Sequence, residues 1–393
     1  MKFTANRTTL LAAVKTAAKI VSEKAPVSEI TGLLFEADEN NGFISLTGTD
    51  IRTIIQMRTP AEHIEESGSA VIKPIVIEML SLLGGETVSF ETYRNLLTLR
   101  SEETVYEFPF LDAKAFPKTQ LPFPEDTIVI KGINPIIKRT VFAASKDTTD
   151  YSKASLQYVK VSFLNGQATA QASDGQRMAV AQSPHCADGT LEMIMHQKAL
   201  NVLCSIIKAD DELYVGIVGN FAVMMKQDMI FSTMLYQGKF MEVLPIMSQV
   251  ELACRVTVDA KQFRETAENV ASIFGAGDDR CIDLKICENS IHLETKSACA
   301  ASQCDIPATD TIPTPEEGFH YAPHLLLDCL RLTSGPLTMT TDKRGFAILE
   351  ANQSKYFLSP RGPVHIRVPE PKPEKKAKEK TAKTKSKTTK AAA

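Results

Sequence analysis

The amino-acid sequence predicts an α+β fold made of three tandem domains of one kind. A short apolar strand that leads into an amphipathic helix occurs three times, with the strands near Phe3, Val129 and Val256. The spacings are 126 and 127 residues. Each segment then continues with a second helix and several short strands of alternating polarity. We call each segment a repeat, and each is long enough to bury its own core.

Each repeat opens with the same strand and helix. In the first repeat, the strand at 3–6 precedes apolar residues that recur at helical spacing up to Val21. Asp259 is predicted to cap the first helix of the third repeat, and Asn134, before Pro135, to cap that of the second.

The remaining elements follow in the same order in each repeat. Second helices are predicted at 75–80, 199–203 and 325–330, and strands at 42–50, 87–90, 96–99, 166–174, 212–215, 290–295, 337–340 and 346–349. Two helices on one face of antiparallel strands form an α+β layer arrangement. The predicted domains are 1–124, 125–252 and 253–368. The Lys-, Pro- and Thr-rich tail 369–393 is predicted to be disordered because it has almost nothing to bury.

Charge is unevenly distributed along the chain. The tail holds nine Lys and three Glu and so has a net charge of +6. Since the whole chain has a net charge of −3, residues 1–368 have a net charge of −9. A body that is this acidic binds DNA only if its basic residues gather on one surface. Lys15 and Lys19, four residues apart, lie outside the apolar arc of the first helix, and Lys138 and Arg139 flank that of the second repeat. A solvated helix face explains any one of them, but the pattern recurs in repeats of one fold.

Several classes of protein are disfavoured. No run approaches 18 apolar residues, and the opening MKFTANRTTL lacks the apolar region of a signal peptide. The eight cysteines form no CxxC pair, which favours reduced thiols in a cytoplasmic protein.

Catalytic and metal sites have little support. Asp50 and Asp174 fall at equivalent points of different repeats, so we expect them to be too far apart for paired-carboxylate chemistry and to form turns instead. His320 and His324 are four residues apart near a helix start, but no third ligand is evident. There is no P-loop and no GxSxG motif. The sequence therefore predicts no catalytic residue, no metal and no cofactor.

Four segments resemble the bacterial DNA polymerase III beta subunit, or DNA sliding clamp, family. They are MKFTANRTTLL at the start, Leu-Thr-Gly-Thr-Asp at 46–50, Ser-Asp-Gly-Gln-Arg-Met-Ala-Val at 173–180, and Gly238-Lys239-Phe240 with the nearby Leu-Pro. The likeness covers about residues 1–361, in order and spacing. It implies a non-catalytic processivity factor: a head-to-tail homodimeric ring that encircles duplex DNA, each chain forming half of the ring with helices inside and sheets outside.

The resemblance also implies three sets of site residues. A cleft between the second and third domains would bind short linear peptides of the polymerase III alpha subunit, the clamp loader, and other polymerases and repair proteins. Its expected residues are Leu156, Ser173, Gly175, Gln176, Arg177, Met178, Met241, Pro245, Ile246, Phe346, Phe357, Ser359, Pro360 and Arg361. The expected DNA-facing residues are Lys15, Lys19, Lys24, Lys73, Lys138, Arg139, Lys153 and Lys198. The expected dimer contacts are Tyr106 and Phe108 on one side and Ile273 and Phe274 on the other.

The chain departs from the family pattern in places. Met241 stands where members usually carry Pro, and the chain continues well past Pro360 into the Lys-rich tail. These departures leave an alternative open: a clamp-like scaffold or repair paralogue that keeps the fold but does not support replication. The basic helix faces discriminate between the two, since only a DNA-encircling ring needs them in one channel.

Overall fold

Seven α-helices are present in the described part of the chain. The computed structural model describes residues 1–361 except 23, 26, 118–122, 148, 185, 275–279, 298 and 299. The predicted tail 369–393, the end of the third predicted domain and Cys299 lie outside the described residues. The helices are α1 (Arg7–Ala17), α2 (Val76–Leu82), α3 (Ile133–Val141), α4 (Gln197–Ile206), α5 (Leu244–Met247), α6 (Ala260–Ala271) and α7 (Pro323–Leu330). None of them is long and apolar enough to cross a membrane.

The helices form three pairs, one in each repeat: α1 with α2, α3 with α4, and α6 with α7. Local chemistry fixes the starts of the first helices. The side chain of Asn6 accepts from the backbone amides of Thr8 and Thr9, and that of Asp259 accepts from the amide of Gln262, as predicted.

The predicted cap at Asn134 is wrong. The cap of α3 is Gly132, whose φ of 66° is a left-handed conformation that glycine adopts without strain. Asn134 lies inside the first turn and is buried, where its side-chain amide donates to the carbonyl oxygens of Cys204 (3.1 Å) and Ile207. It therefore joins α3 to the end of α4 instead of capping a helix.

Twenty-six strands are present in the same residues. They are β1 (Lys2–Asn6), β2 (Leu33–Asp38), β3 (Phe43–Thr49), β4 (Thr53–Pro60), β5 (His63–Glu66), β6 (Gly68–Ile72), β7 (Thr87–Tyr93), β8 (Leu96–Ser101), β9 (Thr104–Pro109), β10 (Ile128–Lys131), β11 (Tyr158–Leu164), β12 (Gln167–Ser173), β13 (Arg177–Ser183), β14 (Leu191–His196), β15 (Glu212–Val218), β16 (Phe221–Lys226), β17 (Met229–Met234), β18 (Cys254–Asp259), β19 (Ile282–Ile286), β20 (Ser290–Lys296), β21 (Ala301–Pro307), β22 (Thr309–Ile312), β23 (Phe319–Tyr321), β24 (Pro336–Thr341), β25 (Ala347–Ala351) and β26 (Ser354–Leu358).

Two of the four sheets run from one repeat into the next. The eight-stranded sheet has the order β10-β15-β16-β17-β4-β3-β2-β6, and the nine-stranded sheet the order β14-β11-β12-β13-β26-β25-β24-β18-β22. We call the β17–β4 pairing the first joint and the β26–β13 pairing the second joint. The other two sheets, β5-β1-β7-β8-β9 and β21-β20-β19-β23, end on β9 and β21 without such a partner in the described chain.

The two joints are built from equivalent strands. The hairpins that close each repeat, β8–β9, β16–β17 and β25–β26, turn at Glu102, Gln227 and Asn352, which are 125 residues apart and have φ values of 50°, 44° and 50°. The partner strands β4, β13 and β21 also begin alike. Each follows a hairpin turn whose last paired residues are five positions apart in sequence: Thr49 and Ile54, Ser173 and Met178, and Lys296 and Ala301. Thus β9, β17 and β26 are equivalent, as are β4, β13 and β21.

The core lies between the helices and the inner faces of the sheets. The first helix of each repeat crosses the strands behind it, α1 over β3 and β4, α3 over β12 and β13, and α6 over β20 and β21. Alternation along β11 is typical: Val159, Val161 and Phe163 are buried towards the helices. One hydrophobic cluster is continuous through the second and third repeats and takes in Ile20 and Ile55 of the first. The α+β prediction of three two-helix units is confirmed, while the domain boundaries at 124/125 and 252/253 stay predictions.

Candidate partner cleft and nucleic-acid surfaces

The β12–β13 turn forms one wall of the candidate cleft. The carboxylate of Asp174 accepts from the amides of Gln176 and Arg177, both at 2.9 Å. The hydroxyl of Ser173 accepts from the amide of Gly175 and donates to the carbonyl oxygen of Arg177. Gly175 has a φ of 89°, which requires glycine, and a side chain there would stand 3.7 Å from Leu156. The side chain of Leu156 therefore lies next to Gly175, which has no side chain to cover it.

Asp50 plays the same part in the first repeat. Its carboxylate accepts from the amides of Arg52 and Thr53. Both carboxylates are therefore occupied in turn formation, which confirms the turn prediction for Asp50 and Asp174.

Arg177 anchors the second repeat to the third. Its Nε donates to Asp174 at 3.0 Å, and its Nη1 donates to Asp328 of α7 at 2.6 Å. The guanidinium also lies over the ring of Phe142, 5.2 Å from its centroid. Only 9% of the surface of Arg177 is exposed. Its side chain therefore stabilises the contact between the two repeats and offers little surface to a ligand.

The third repeat supplies an aromatic floor. Phe357 pairs with Met178 across the second joint, and its ring stacks on Phe346 with centroids 5.6 Å apart. All three side chains are buried. The amide and hydroxyl of Ser359 both donate to the carbonyl oxygen of Gln176. The last described strand is thereby fastened to the β12–β13 turn.

Helix α5 follows a segment that is bound to β12. The amide of Val243 donates to the side-chain carbonyl of Gln171 at 3.3 Å, which fixes the loop after Phe240 to the second repeat. Ile246 is buried, Met241 is half-buried and Pro245 is exposed. Leu244, which the sequence analysis did not name, exposes 39% of its surface. Its exposure depends on the orientation of α5, which no sequence pattern gives.

The structure brings the predicted residues of the β12–β13 turn and of the last described strand together at the second joint, while the cleft as a whole stays a prediction. The predicted residues differ in accessibility. Gly175, Gln176, Pro245 and Arg361 are exposed, and Leu156, Met241, Ser359 and Pro360 are half-buried; Ser173, Arg177, Met178, Ile246, Phe346 and Phe357 are buried. An apolar floor with an accessible rim suits a short peptide with one or two apolar anchors.

The predicted DNA-facing residues are mostly solvent-exposed. Those exposed are Lys15, Lys19, Lys24, Lys73, Lys138, Lys153 and Lys198, while Arg139 is half-buried. Two of the eight also connect repeats. Lys19 donates to the backbone and hydroxyl oxygens of Ser205 in α4, and Arg139 donates to the carbonyl oxygen of Asn352. Lys153 pairs with Asp150 at 3.1 Å. That all eight face one channel remains a prediction.

Two of the predicted dimer contacts, Tyr106 and Phe108, lie on the free edge strand β9. Tyr106 is half-buried and Phe108 is 7% exposed on β9, and Ile273 and Phe274 follow α6 and are half-buried. Thr104, at the start of β9, and Cys304, in β21, are both exposed. The pairing of these edges is therefore a prediction that no contact within the chain tests.

Two of the described cysteines, Cys204 and Cys281, are poor nucleophiles in the metal-free chain. All seven described cysteines are free thiols, in agreement with the prediction from sequence. Burial raises the pKa of Cys204 to about 12, and burial together with the carboxylate of Asp283 raises that of Cys281 to about 11. A thiol with such a pKa holds its proton near neutral pH, which leaves little thiolate for attack.

A titratable group with a shifted pKa also lines the first joint. A cavity of about 630 Å³ there is bounded by the β3–β4 turn, β17 and the start of α4. In it, His196 accepts from the amide of Lys198 and stands edge-on to Tyr158, whose ring stacks on Tyr236 at 4.5 Å. Burial, with smaller effects of the cations Lys198 and Arg52, lowers the pKa of His196 from 6.5 to about 4.

Comparisons with known proteins agree with this architecture. Residues 1–121 match the model of the DNA polymerase III beta subunit, N-terminal domain. The beta sliding clamp of Bacillus subtilis is 24% identical over 372 residues, which cover 90% of this chain and 96% of that protein. The beta sliding clamp of Halalkalibacterium halodurans is 26% identical over 303 residues, covering 72% and 78% of the two chains.

Solved structures share the fold. The sliding clamp of Bacillus subtilis superposes with a TM-score of 0.82 at 20% identity, over 94% of this chain and 99% of that one. The DNA polymerase III beta subunit of Thermotoga maritima gives a TM-score of 0.82 at 19% identity, over 94% and 100%. Residues 1–121 thus resemble the N-terminal domain of the DNA polymerase III beta subunit, and the chain is similar over most of its length to bacterial beta sliding clamps, whose fold it shares.

Proposed function

We propose that this chain is a DNA sliding clamp that closes into a ring as a head-to-tail homodimer. The ring encircles duplex DNA in the cytoplasm and performs no catalysis. It tethers the polymerase III alpha subunit, the clamp loader, and other polymerases and repair proteins through the cleft at the second joint. The observation that carries the proposal is the equivalence of the free edge strands β9 and β21 to strands that pair at both joints.

The joints give a register for the missing pairing. At the first joint Met229 stands opposite Met57 and Thr233 opposite Thr53, and at the second joint Ser354 stands opposite Ala181. On the free edge β9, Thr104 is equivalent to Met229 and Ser354. On the free edge β21, Cys304 is equivalent to Met57 and Ala181. The pairs expected between two chains are Thr104 with Cys304, Val105 with Gln303, Tyr106 with Ser302, Glu107 with Ala301, and Phe108 with Ala300.

Burial supports a missing partner at these edges. On β17 and β4, the helix-facing residues Phe231, Ile55, Thr233 and Thr53 are all under 4% exposed. Their equivalents on the free edges are less covered: Tyr106 and Ser302 are half-buried, and Ala300 is exposed. An uncovered edge strand is a site of unwanted association unless a partner pairs with it. Pairing of β9 with β21 of a second chain would cover both and extend the five- and four-stranded sheets into one of nine strands.

A twofold axis completes the ring. Each chain offers β9 and β21 as free edge strands, so two chains form two identical joints that cover both of these strands. Three repeats per chain then give six helix pairs around the hole. The exposed lysines on α1, α3 and α4 would face DNA phosphates, whose contacts carry no base information and permit sliding.

Retention on closed circular DNA tests this function. The full chain is loaded on a nicked circular plasmid by its cell's own clamp loader with ATP, separated from free protein, and then challenged with a restriction enzyme that linearises the plasmid. A clamp stays on the circle at high salt and leaves the linear form. Equal loss from both forms, or equal retention on both, would contradict encirclement and favour the scaffold alternative.

A further inference from the structure

Three side chains of metal-binding type meet on the outer face of the four-stranded sheet. They are Cys281 just before β19, Asp283 within β19 and His320 on β23. One ligand atom of each lies within 4.8 Å of the others. Asp283 and His320 are directly opposite each other across the two strands, and Nδ1 of His320 stands 2.6 Å from Oδ1 of Asp283.

We propose that Cys281, Asp283 and His320 form a binding site for a divalent transition-metal ion of the zinc type. A thiolate, an imidazole and a carboxylate are ligands that Zn²⁺ takes in tetrahedral sites, with water in the fourth position. Cys281 and Asp283 are half-buried and His320 is exposed, so an ion has direct access from solvent. The ion would displace the thiol proton of Cys281 to solvent and take the place of the hydrogen bond between His320 and Asp283.

This site differs from the histidine pair considered from the sequence. His324 lies in α7 and is not part of the cluster. The other two ligands come instead from Asp283 in β19 and Cys281 just before it, and cross-strand pairing brings Asp283 to His320 although they are 37 residues apart.

The second repeat indicates that the fold does not require these residues. The strand pairing of β11 with β14 corresponds to that of β19 with β23. The amide of Tyr236 donates to the carbonyl oxygen of Ile194, as that of Arg361 donates to His320. At the positions of Cys281, Asp283 and His320, the second repeat has Tyr158, Lys160 and Ile194. The same backbone therefore carries an aromatic, a basic and an aliphatic side chain, and the three ligand types in the third repeat need a reason other than folding.

The charges around the site are mixed. The thiolate and the carboxylate would together neutralise a divalent ion. The cation Arg361 lies close to Cys281, and the cation Lys296 on β20 interacts electrostatically with Asp283. Both positive charges would repel a bound metal ion. We therefore expect binding that depends on all three ligands, with loss of any one reducing affinity at least tenfold.

Cobalt substitution tests the site without reference to DNA or partners. The full chain is freed of metal with a chelator, titrated with Co²⁺, and followed by the thiolate-to-cobalt charge-transfer absorption, with Zn²⁺ as competitor. The wild-type chain is expected to develop one equivalent of this band and to lose it to Zn²⁺. Cys281→Ser should abolish the band, and Asp283→Asn or His320→Asn should weaken binding at least tenfold.

Cys287→Ser is the matched control, because Cys287 follows the same strand and is equally half-buried; this variant should keep the band. Melting temperatures in chelator identify any variant that fails to fold, and Zn²⁺ should raise that of the wild type but not that of Cys281→Ser. A wild-type chain with no band, or a band that survives in Cys281→Ser, would overturn the proposal. Either result leaves the clamp function untouched.

Discussion

Arg177 of the second repeat and Asp328 of the third form an ion pair of 2.6 Å across the joint that carries the candidate cleft. The side chain of Arg177 is 11% exposed and that of Asp328 is 30% exposed. Asp174 holds the other edge of the same guanidinium. The cleft wall and the tie between two repeats therefore depend on one arginine.

Asp328→Asn is expected to lower the free energy of unfolding by about 1–3 kcal/mol. A broken buried pair costs about 3–5 kcal/mol, and the partial exposure of Asp328 reduces that figure. Urea titration measures the change. Arg331→Gln is the matched control, because Arg331 bonds the same carboxylate at 3.1 Å from a side chain that is 60% exposed; it should cost less than about 0.5 kcal/mol. Equal effects of the two variants would show that the pair does not hold the joint.

Leu244 is expected to contact partner peptides. Because Leu244 is an exposed large apolar side chain on α5, Leu244→Asp should weaken binding of a fluorescent peptide from the clamp-binding segment of the polymerase alpha subunit at least tenfold. Fluorescence anisotropy gives the affinity. The control is Leu164→Asp. Leu164 is 58% exposed at the end of β11 that is joined to the start of β12, and this variant should bind the peptide as the wild type does. If both variants bound equally well, α5 would not belong to the cleft.

His196 is expected to make the fold sensitive to mild acid. Its folded-state pKa of about 4 lies below the ordinary histidine value of 6.5, so the unfolded chain binds the extra proton between these values. Its neutral form therefore favours folding above pH 6.5, and stability is lost as the pH falls towards 4. After allowance for solvent screening, the loss is about 1–2 kcal/mol.

His196→Asn isolates this contribution, because asparagine can still cap α4 but does not titrate. The difference in unfolding free energy between pH 7 and pH 4.5 should shrink by about 1 kcal/mol relative to the wild type. Carboxylates titrate in both chains and cancel in the comparison. An unchanged pH dependence would mean that His196 is solvated as a free imidazole is.

The fold was predictable because repetition and periodicity are local signals. The strand at 3–6, the helix after it and the cap at Asp259 follow from short-range chemistry, and all are present. Asn134 was assigned wrongly because asparagine near a helix start suits both a cap and a buried amide, and the choice was decided by Gly132 and by carbonyl oxygens 70 or more residues away.

The sites were predictable only in part. The cleft residues came from a family resemblance, which gives positions but not burial; it could not separate the buried Arg177 from the exposed Gln176. Cys281, Asp283 and His320 have no recognisable spacing in the sequence, because β19 and β23 bring them together by cross-strand pairing. Long-range pairing of this kind is what a single sequence does not display.

The central claim is that β9 of one chain pairs with β21 of another in the register set by the two joints. Thr104→Cys would then face native Cys304 of the second chain. At the joints the equivalent residues sit between the hydrogen-bonded pairs, since the amide of Met234 donates to Arg52 and that of Arg58 to Asp228. Such positions bring Cα atoms to about 4.5 Å, within the range of a disulfide.

The decisive measurement is oxidation of Thr104→Cys, followed by non-reducing electrophoresis. We predict a covalent dimer that Thr104→Cys with Cys304→Ser does not form, and little dimer from Val105→Cys, whose side chain points to the opposite face of the sheet. Absence of a Cys304-dependent dimer from Thr104→Cys, or a stronger one from Val105→Cys, would contradict ring closure in this register.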